Sequence, residues 1–408
     1  MEMQTRLLPL LSATLLSLTV VASVIEPSFA VTLTPDTVCG YLDAESNEKN
    51  IRGGYPKKDK LAGKQMHIHF RPNTGSWSVA TMDIRDQYNR LHLMVRVQAP
   101  CKIVQARHAI YDKDGKLTLL KTLAPNLSTI IAEDVVNPPV PPIHQEADTK
   151  PPLLAVADTG VNYLLPEMQP HIARIADGSI LGYDFWDMDD RPFDSDPRQN
   201  PYYPFHHGTT VFSVLVAEAP EEEIAIYRFP ALDMCRYEKL VEHAVNAGIR
   251  IINISMGSSN IEDWTCFANA ARNSPSVLFI ASAGNDGRNI DAHPIFPAAL
   301  SLDNIFVVSS ADKFGRPGPS SNTGPQHVDV FVPAERLPVI DHRGVHTFTG
   351  GTSYAAPRVA ALAVRYLRAN PDADTNQIIS FLKQRAINGE KNISAFGWIP
   401  DPTDNFGF

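Results

Sequence analysis

The sequence predicts two folded parts: an α/β unit with a doubly wound, mostly parallel sheet flanked by helices, and before it a smaller β-rich N-terminal unit. Three observations lead there. The second half alternates continuous apolar runs with amphipathic helical stretches, the pattern of strands covered on both faces by crossover helices. The first half carries short alternating or β-branched runs. Between them lies Asn137-Pro-Pro-Val-Pro-Pro142, whose prolines lack donors and favour extended chain. With 408 residues and 44% hydrophobic composition, there is material for two cores.

Residues 1–30 read as a signal peptide. Arg6 precedes an apolar run from Leu7 to Ile25, and Ser28-Phe29-Ala30 offers small residues at both positions read by a signal peptidase, so cleavage is expected after Ala30. An uncleaved anchor is the rival, but Pro9 and the hydroxyls of Ser12, Thr14, Ser17 and Thr19 weaken a run barely long enough to span a bilayer. No later stretch is long and apolar enough. The expected destination is secreted or periplasmic, where the four cysteines read as disulfides. Pairing Cys39 with Cys101 and Cys235 with Cys266 keeps each bridge within one unit, and neither pair has zinc-ligand spacing.

In the N-terminal unit, residues 31–136, the runs Gln65–Phe70, Trp77–Thr81 and Leu91–Val97 read as strands, and Asp112-Lys-Asp-Gly115 as a hairpin turn. The linker covers 137–149. In the second unit, 150–400, Leu153–Ala157 begins the buried strands. A helix follows over Gly208–Glu218, then a strand at Ile224–Tyr227, a helix over Tyr237–Ala247 stopped by Gly248, and a strand at Ile249–Ile254. A further helix over Glu262–Arg272 leads to strands at Val277–Ala281 and Ile305–Val308, completing a βαβ pattern. The 45 acidic against 36 basic residues, net −9, argue against a nucleic-acid partner, which would need a basic face.

In open parallel sheets, reactive groups gather at strand carboxyl ends. Asp158 ends the first apolar run, and Gly160 permits the sharp turn that leaves its carboxylate at the tip. Asp-Thr-Gly alone also occurs in ordinary turns and in aspartic proteases. His207 opens a helix in His206-His207-Gly-Thr209, where a surface histidine is the plain alternative. Gly350-Gly-Thr-Ser353-Tyr-Ala-Ala-Pro357 runs directly into the apolar helix Val359–Val364. Its glycines admit close backbone approach, Ser353 lies at a helix N-terminus, and Pro357 is expected in the first turn. Ala283-Gly284-Asn285-Asp286 follows a strand, so the Asn285 amide could bind an oxyanion alongside the Ser353 backbone N–H. An ordinary Gly-Asn turn is the alternative there.

Val156-Ala-Asp158-Thr-Gly160, His207-Gly-Thr209, Ser255-Met-Gly257, Ala283-Gly-Asn285 and Gly351-Thr-Ser353-Tyr-Ala-Ala-Pro357 stand in the order found in subtilisin-like serine proteases, peptidase family S8, which this sequence resembles over roughly 150–390. The resemblance implies acyl transfer to water, with Ser353 as nucleophile, His207 as general base and acid, Asp158 orienting the imidazole and Asn285 as oxyanion donor. It also implies that Ser255, Met256 and Gly257 form a strand pairing with substrate backbone, while Ala283 and Gly284 belong to the wall of the specificity pocket. The substrates implied are polypeptides. Where many relatives read His-Gly-Thr-His-Val-Ala-Gly, this chain has Thr210, Phe212 and Ser213, a bulky ring replacing a small residue. His206 is read as a loop residue.

The segment between Asp158 and His207 holds Asp184, Asp187, Asp189, Asp190, Asp194 and Asp196, a density that would suit calcium, which many relatives bind, though no ligand spacing is recognisable. No cofactor is required by the chemistry. His67 and His69 would share one strand face, but without a third ligand they read as ordinary strand histidines. The N-terminal unit is either a propeptide removed on maturation or a retained domain for substrate or envelope binding. A catalytically inactive subtilisin-like binding protein is the alternative function. A sedolisin-like peptidase would replace His207 by glutamate, and a lipase would order its triad Ser…Asp…His.

Overall fold

The computed structural model describes residues 33–46, 57–61, 64–74, 76–142, 151–230, 233–389 and 392–408. The predicted signal segment 1–30 and linker residues 143–149 lie outside them. No helix among the described residues is long and apolar enough to cross a membrane.

The first described element is a helix, α1 (Pro35–Glu45), which the β-rich reading of this unit did not include. Thr34 caps it by accepting the Thr37 N–H at 3.2 Å, and Pro35 occupies the first turn, where a missing donor costs nothing. Seven strands follow: β1 (Lys57–Leu61), β2 (Lys64–Asn73), β3 (Ser76–Arg85), β4 (Leu91–Gln98), β5 (Lys102–Tyr111), β6 (Leu117–Leu123) and β7 (Ile130–Val135). They form an antiparallel meander in sequence order. Val38 and Leu42 of α1 are buried against Met66, Ile68, Met82 and Val95 on one sheet face, and Cys39–Cys101 ties the helix to the β4–β5 turn. The predicted hairpin turn is present: Gly115 has φ 79° and the Asp112 N–H donates to the Lys116 carbonyl at 2.9 Å.

The second sheet holds β8 (Leu154–Asp158), β9 (Gly182–Asp184), β10 (Ile224–Arg228), β11 (Ile251–Ile254), β12 (Leu278–Ser282), β13 (Ile305–Ala311) and β14 (Val330–Pro333). All pairs are parallel, in the order β14-β13-β12-β11-β8-β10-β9. The helices are α2 (Gly208–Glu218), α3 (Arg236–Asn246), α4 (Thr265–Arg272), α5 (Thr352–Ala369) and α6 (Thr375–Arg385). Residues of α2, α5 and α6 bury one face of the sheet around Val156, Ile226 and Ile280, and residues of α3 and α4 bury the other around Ala157, Tyr227 and Phe279. Cys235–Cys266 joins the beginnings of α3 and α4. A short hairpin, β15 (Leu337–Ile340) and β16 (His346–Thr349), precedes α5.

Winding reverses between β8 and β11, opening a crevice at their carboxyl ends where Asp158 and Ser255 lie. Phe212, the bulky departure in α2, is wholly buried in the core beside α5. Full burial of such a ring contributes about 1.5–3 kcal/mol, so it acts as packing. The two units touch through the loop before α2. Tyr202 is buried among Leu91, Met94, Leu120 and Val136 of the antiparallel sheet, and the Arg107 guanidinium lies 4.7 Å from the centroid of the Tyr203 ring. Asp189 accepts from Lys116 Nζ at 2.9 Å and from Asn137 Nδ2 at 3.0 Å.

Candidate active site

Asp158 closes β8 with no exposed surface. The chain then turns sharply at Gly160, φ 99°, where a Cβ would meet the Phe193 carbonyl oxygen at 2.5 Å, so only glycine fits. Asp158 Oδ1 accepts from the Thr159 N–H at 2.7 Å and faces His207 Nδ1 at 2.7 Å. This fixes the proton on Nδ1 and leaves Nε2 as the basic nitrogen. Burial works against an imidazolium, but the Asp158 charge and its hydrogen bond push the His207 pKa above the ordinary histidine value.

His207 precedes α2, and its backbone is held by a carboxylate that the sequence offered only as a calcium ligand. Asp194 is fully buried. Its Oδ1 accepts from Thr159 Oγ1 at 2.5 Å and from the His207 N–H at 3.1 Å, and its Oδ2 from the Thr209 N–H at 3.0 Å and Thr209 Oγ1 at 2.5 Å. A buried anion at the start of α2 also meets the positive end of the helix dipole. Burial opposes its ionisation, yet His342, with Nδ1 3.4 Å from Oδ2, the charge of His206 and the Thr159 hydroxyl hold Asp194 well below the usual carboxylate range. The available sequence signal was the pair Thr159 and Thr209, two hydroxyls flanking the motif residues that need a common acceptor.

His206 lies in the loop before α2, as expected, but its ring is not free. Its ring stacks on His342 at 3.6 Å between centroids, 9° from parallel, and its Nδ1 lies 2.6 Å from the Asp194 carbonyl. Asp194, His206 and His342 converge closely enough to suggest a metal. However, stacked rings aim their lone pairs side by side, and the carboxylate already accepts four hydrogen bonds, so the trio fits a packed polar network better than a coordination sphere. His67 and His69 belong to no such cluster among the described residues.

Ser353 lies in the first turn of α5, entered through Gly351 at φ 125°. Pro357 falls in the second turn, not the first as expected. Lacking an N–H, it leaves the carbonyl of Ser353, four residues back, without its helical donor. Ser255 Oγ fills that place, donating to Ser353 O at 2.8 Å, while Ser353 Oγ donates to Ser255 O at 3.2 Å. The nucleophile candidate is thus clamped to the segment following β11. The rings of Tyr354 and His207 lie 5.8 Å apart, bringing α5 against the histidine.

Asn285 Oδ1 accepts from the Thr352 N–H at 2.9 Å, which fixes the amide so that Nδ2 remains as a donor. Thr352 Oγ1 accepts from the Gly284 N–H at 3.1 Å, tying the same two loops again. A cavity of about 350 Å³ brings together Ser255, Met256, Gly257, Gly284, Asn285 and Ser353. Arg288 and Asp286, paired at 3.1 Å, add charge to its wall. Ala283 stands apart: it is buried in a separate cluster with Ile290 and Val307.

The acidic loop is neutralised from within. Arg228, itself buried, meets Asp184 at 2.8 Å and Asp187 at 2.7 Å, and donates to the Ser195 carbonyl at 3.0 Å. Burial, against the pull of Arg228, pushes Asp184 up to about 6. Asp189 is met by Lys116 and Arg191, Asp196 by Arg198, and Asp190 is exposed. A calcium cage needs several carboxylate oxygens converging on one point, and cationic side chains already occupy those directions. These residues do not fit such a site.

Comparison with known proteins extends the motif-level resemblance. The model of the Subtilase family of peptidases matches residues 149–398. The chain is 29% identical over 269 residues to the thermophilic serine proteinase of Bacillus sp. (strain AK1), covering 60% of this chain and 59% of that protein. It is 24% identical over 248 residues to the cell wall-associated protease of Bacillus subtilis, covering 57% of this chain and 25% of that protein. The alignments thus span less than two thirds of these relatives. Among solved structures, a lanthipeptide protease superposes with a TM-score of 0.50 at 22% identity, covering 60% of this chain and 85% of that one, which shows a shared fold. Because the family match takes in more than half of the sequence and the whole crevice between β8 and β11, the chain belongs to the Subtilase family.

Proposed function

We propose that the protein is an exported serine endopeptidase that cleaves extended polypeptides through an acyl-enzyme on Ser353. The observation that carries this reading is the buried Asp158–His207 contact at 2.7 Å, with the ring of Tyr354, the neighbour of Ser353, 5.8 Å from that histidine. The Ser353 hydroxyl, now donated to Ser255 O, swings to His207 Nε2 as substrate enters. Its oxygen attacks the scissile carbonyl carbon while the proton passes to Nε2. Asn285 Nδ2 and the Ser353 N–H receive the oxyanion. Collapse breaks the C–N bond, His207 returns the proton to the amine, and water repeats the sequence to free the acid. Two disulfides and the signal-like segment at 1–30 support export. The buried Tyr202 and the Lys116–Asp189 pair favour an N-terminal unit that stays docked in the mature protein.

A fluorophosphonate probe tests the assignment against an inactive binding protein. The native chain should label at Ser353, and both Ser353→Ala and His207→Ala should abolish labelling. Labelling that survives Ser353→Ala sinks the mechanism, and no labelling of the native chain favours the binding protein.

A further inference from the structure

Among the described residues, no helix of its own covers the face of the antiparallel sheet opposite α1. Its cross-strand register sets polar residues in rows: His69, Thr81, Arg96 and Gln105 stand side by side across β2 to β5, with Arg71 beside Val79 in the next row. The loop carrying Tyr202 and Tyr203 overhangs this face and closes it into a groove of about 880 Å³. Three guanidiniums, Arg71, Arg85 and Arg96, line the groove against one carboxylate, Asp83, although the chain as a whole carries −9. Arg85 is shared with Asp83 at 3.9 Å and with the Asn89 carbonyl at 3.1 Å. Arg71 and Arg96 are exposed, and among the described residues neither enters an ion pair. Local charge reversed against a net-acidic background attracts an anionic ligand from solution.

We propose that this groove is a second binding site for an acidic, extended segment of polypeptide substrate, lying apart from the crevice that holds Ser353. The proposal rests on the peptidase reading for its choice of polypeptide among polyanions. Along β3, Val79 to Arg85 spans roughly 20 Å at about 3.3 Å per residue, room for some six extended substrate residues. The half-buried Tyr203 ring offers aromatic surface, Tyr202 being buried in the wall, while Arg71 and Arg96 offer planar donors suited to carboxylates. The same short loop runs on into Phe205, whose ring stacks on His207 at 5.7 Å, so groove and crevice share one piece of chain. A substrate held at both places gains effective concentration at the scissile bond without any new contact there.

The test uses the full chain carrying Ser353→Ala and a fluorescein-labelled, glutamate-rich decapeptide, read by anisotropy. Binding should weaken as salt rises, and Arg71→Glu combined with Arg96→Glu should reduce affinity at least about tenfold. Equal affinity in that variant overturns the proposal, and so does capture of dextran sulfate through the same arginines with none of the peptide. In the active chain, the double substitution should raise KM for a substrate with an acidic tail at least about fivefold, leaving kcat/KM for the tail-less peptide unchanged. Fluorophosphonate labelling of the double variant reports that its crevice is intact. Peptide binding by the Ser353→Ala chain together with an unlabelled native chain would refute the peptidase reading alone.

Discussion

Replacing Asp194 by Asn tests how the catalytic histidine is held. The carboxylate accepts four hydrogen bonds, two per oxygen, from Thr159 Oγ1, the His207 N–H, the Thr209 N–H and Thr209 Oγ1. An amide has one oxygen. Whichever way the substituted side chain is flipped, its NH2 group faces one of the two backbone N–H donors, of which the His207 N–H keeps Thr159 Oγ1 at 3.1 Å as a second acceptor. Losing one bond between a buried N–H and a charged acceptor costs about 1.5–3 kcal/mol, a fall of roughly 3–10 °C in melting temperature for a domain of this size. Because that N–H belongs to His207 or to the first turn of α2, kcat/KM should drop at least about tenfold. The pH profile separates positioning from mere stability. The Asp194 charge helps to raise the His207 pKa, and the base works only when unprotonated. Asp194→Asn should therefore lower that pKa and move the acid limb of kcat/KM to lower pH. Calorimetry and a chromogenic peptide assayed across pH would read all three effects. An unmoved acid limb with stability within about 0.5 kcal/mol of native would refute the role given to Asp194.

Asn285→Ala should reduce kcat by about a hundred- to a thousandfold with KM little changed, measured by steady-state kinetics, because an oxyanion donor acts only as charge develops. Arg228→Met should cost about 3–5 kcal/mol in urea unfolding by stranding buried Asp184, and adding Asp184→Leu should recover much of it. Since Arg228, Lys116, Arg191 and Arg198 already neutralise the acidic loop, thorough chelation should leave the native unfolding midpoint where it is.

Much of the parallel-sheet half could be read in advance because local and tertiary demands coincide there. The helix expected over Gly208–Glu218 has those bounds, since Gly208 packs where a Cβ would lie 2.1 Å from the Gly160 carbonyl oxygen. The serine motif was legible because its glycines answer to backbone geometry, as Gly351 at φ 125° illustrates. Other features depend on contacts distant in sequence. α1 contains Gly40 and β-branched residues, and it holds its place by burying Val38 and Leu42 on a sheet and by a bond to Cys101. Its local start signal is Thr34-Pro35. The role of Asp194 needs Thr159, thirty-five positions away, and that of Pro357 needs Ser255, so neither could be found from spacing alone.

The two disulfides have a topological consequence. Cys39–Cys101 closes a ring wholly before the proline-rich linker, and Cys235–Cys266 one wholly after it. The halves are therefore joined covalently by a single thread. Were that thread cut by a protease, the molecule included, cohesion would pass to Tyr202 seated in its apolar socket and to Asp189 between Lys116 and Asn137. A nicked molecule would then behave as a heterodimer, its integrity set by concentration and ionic strength where before it was set by bonds.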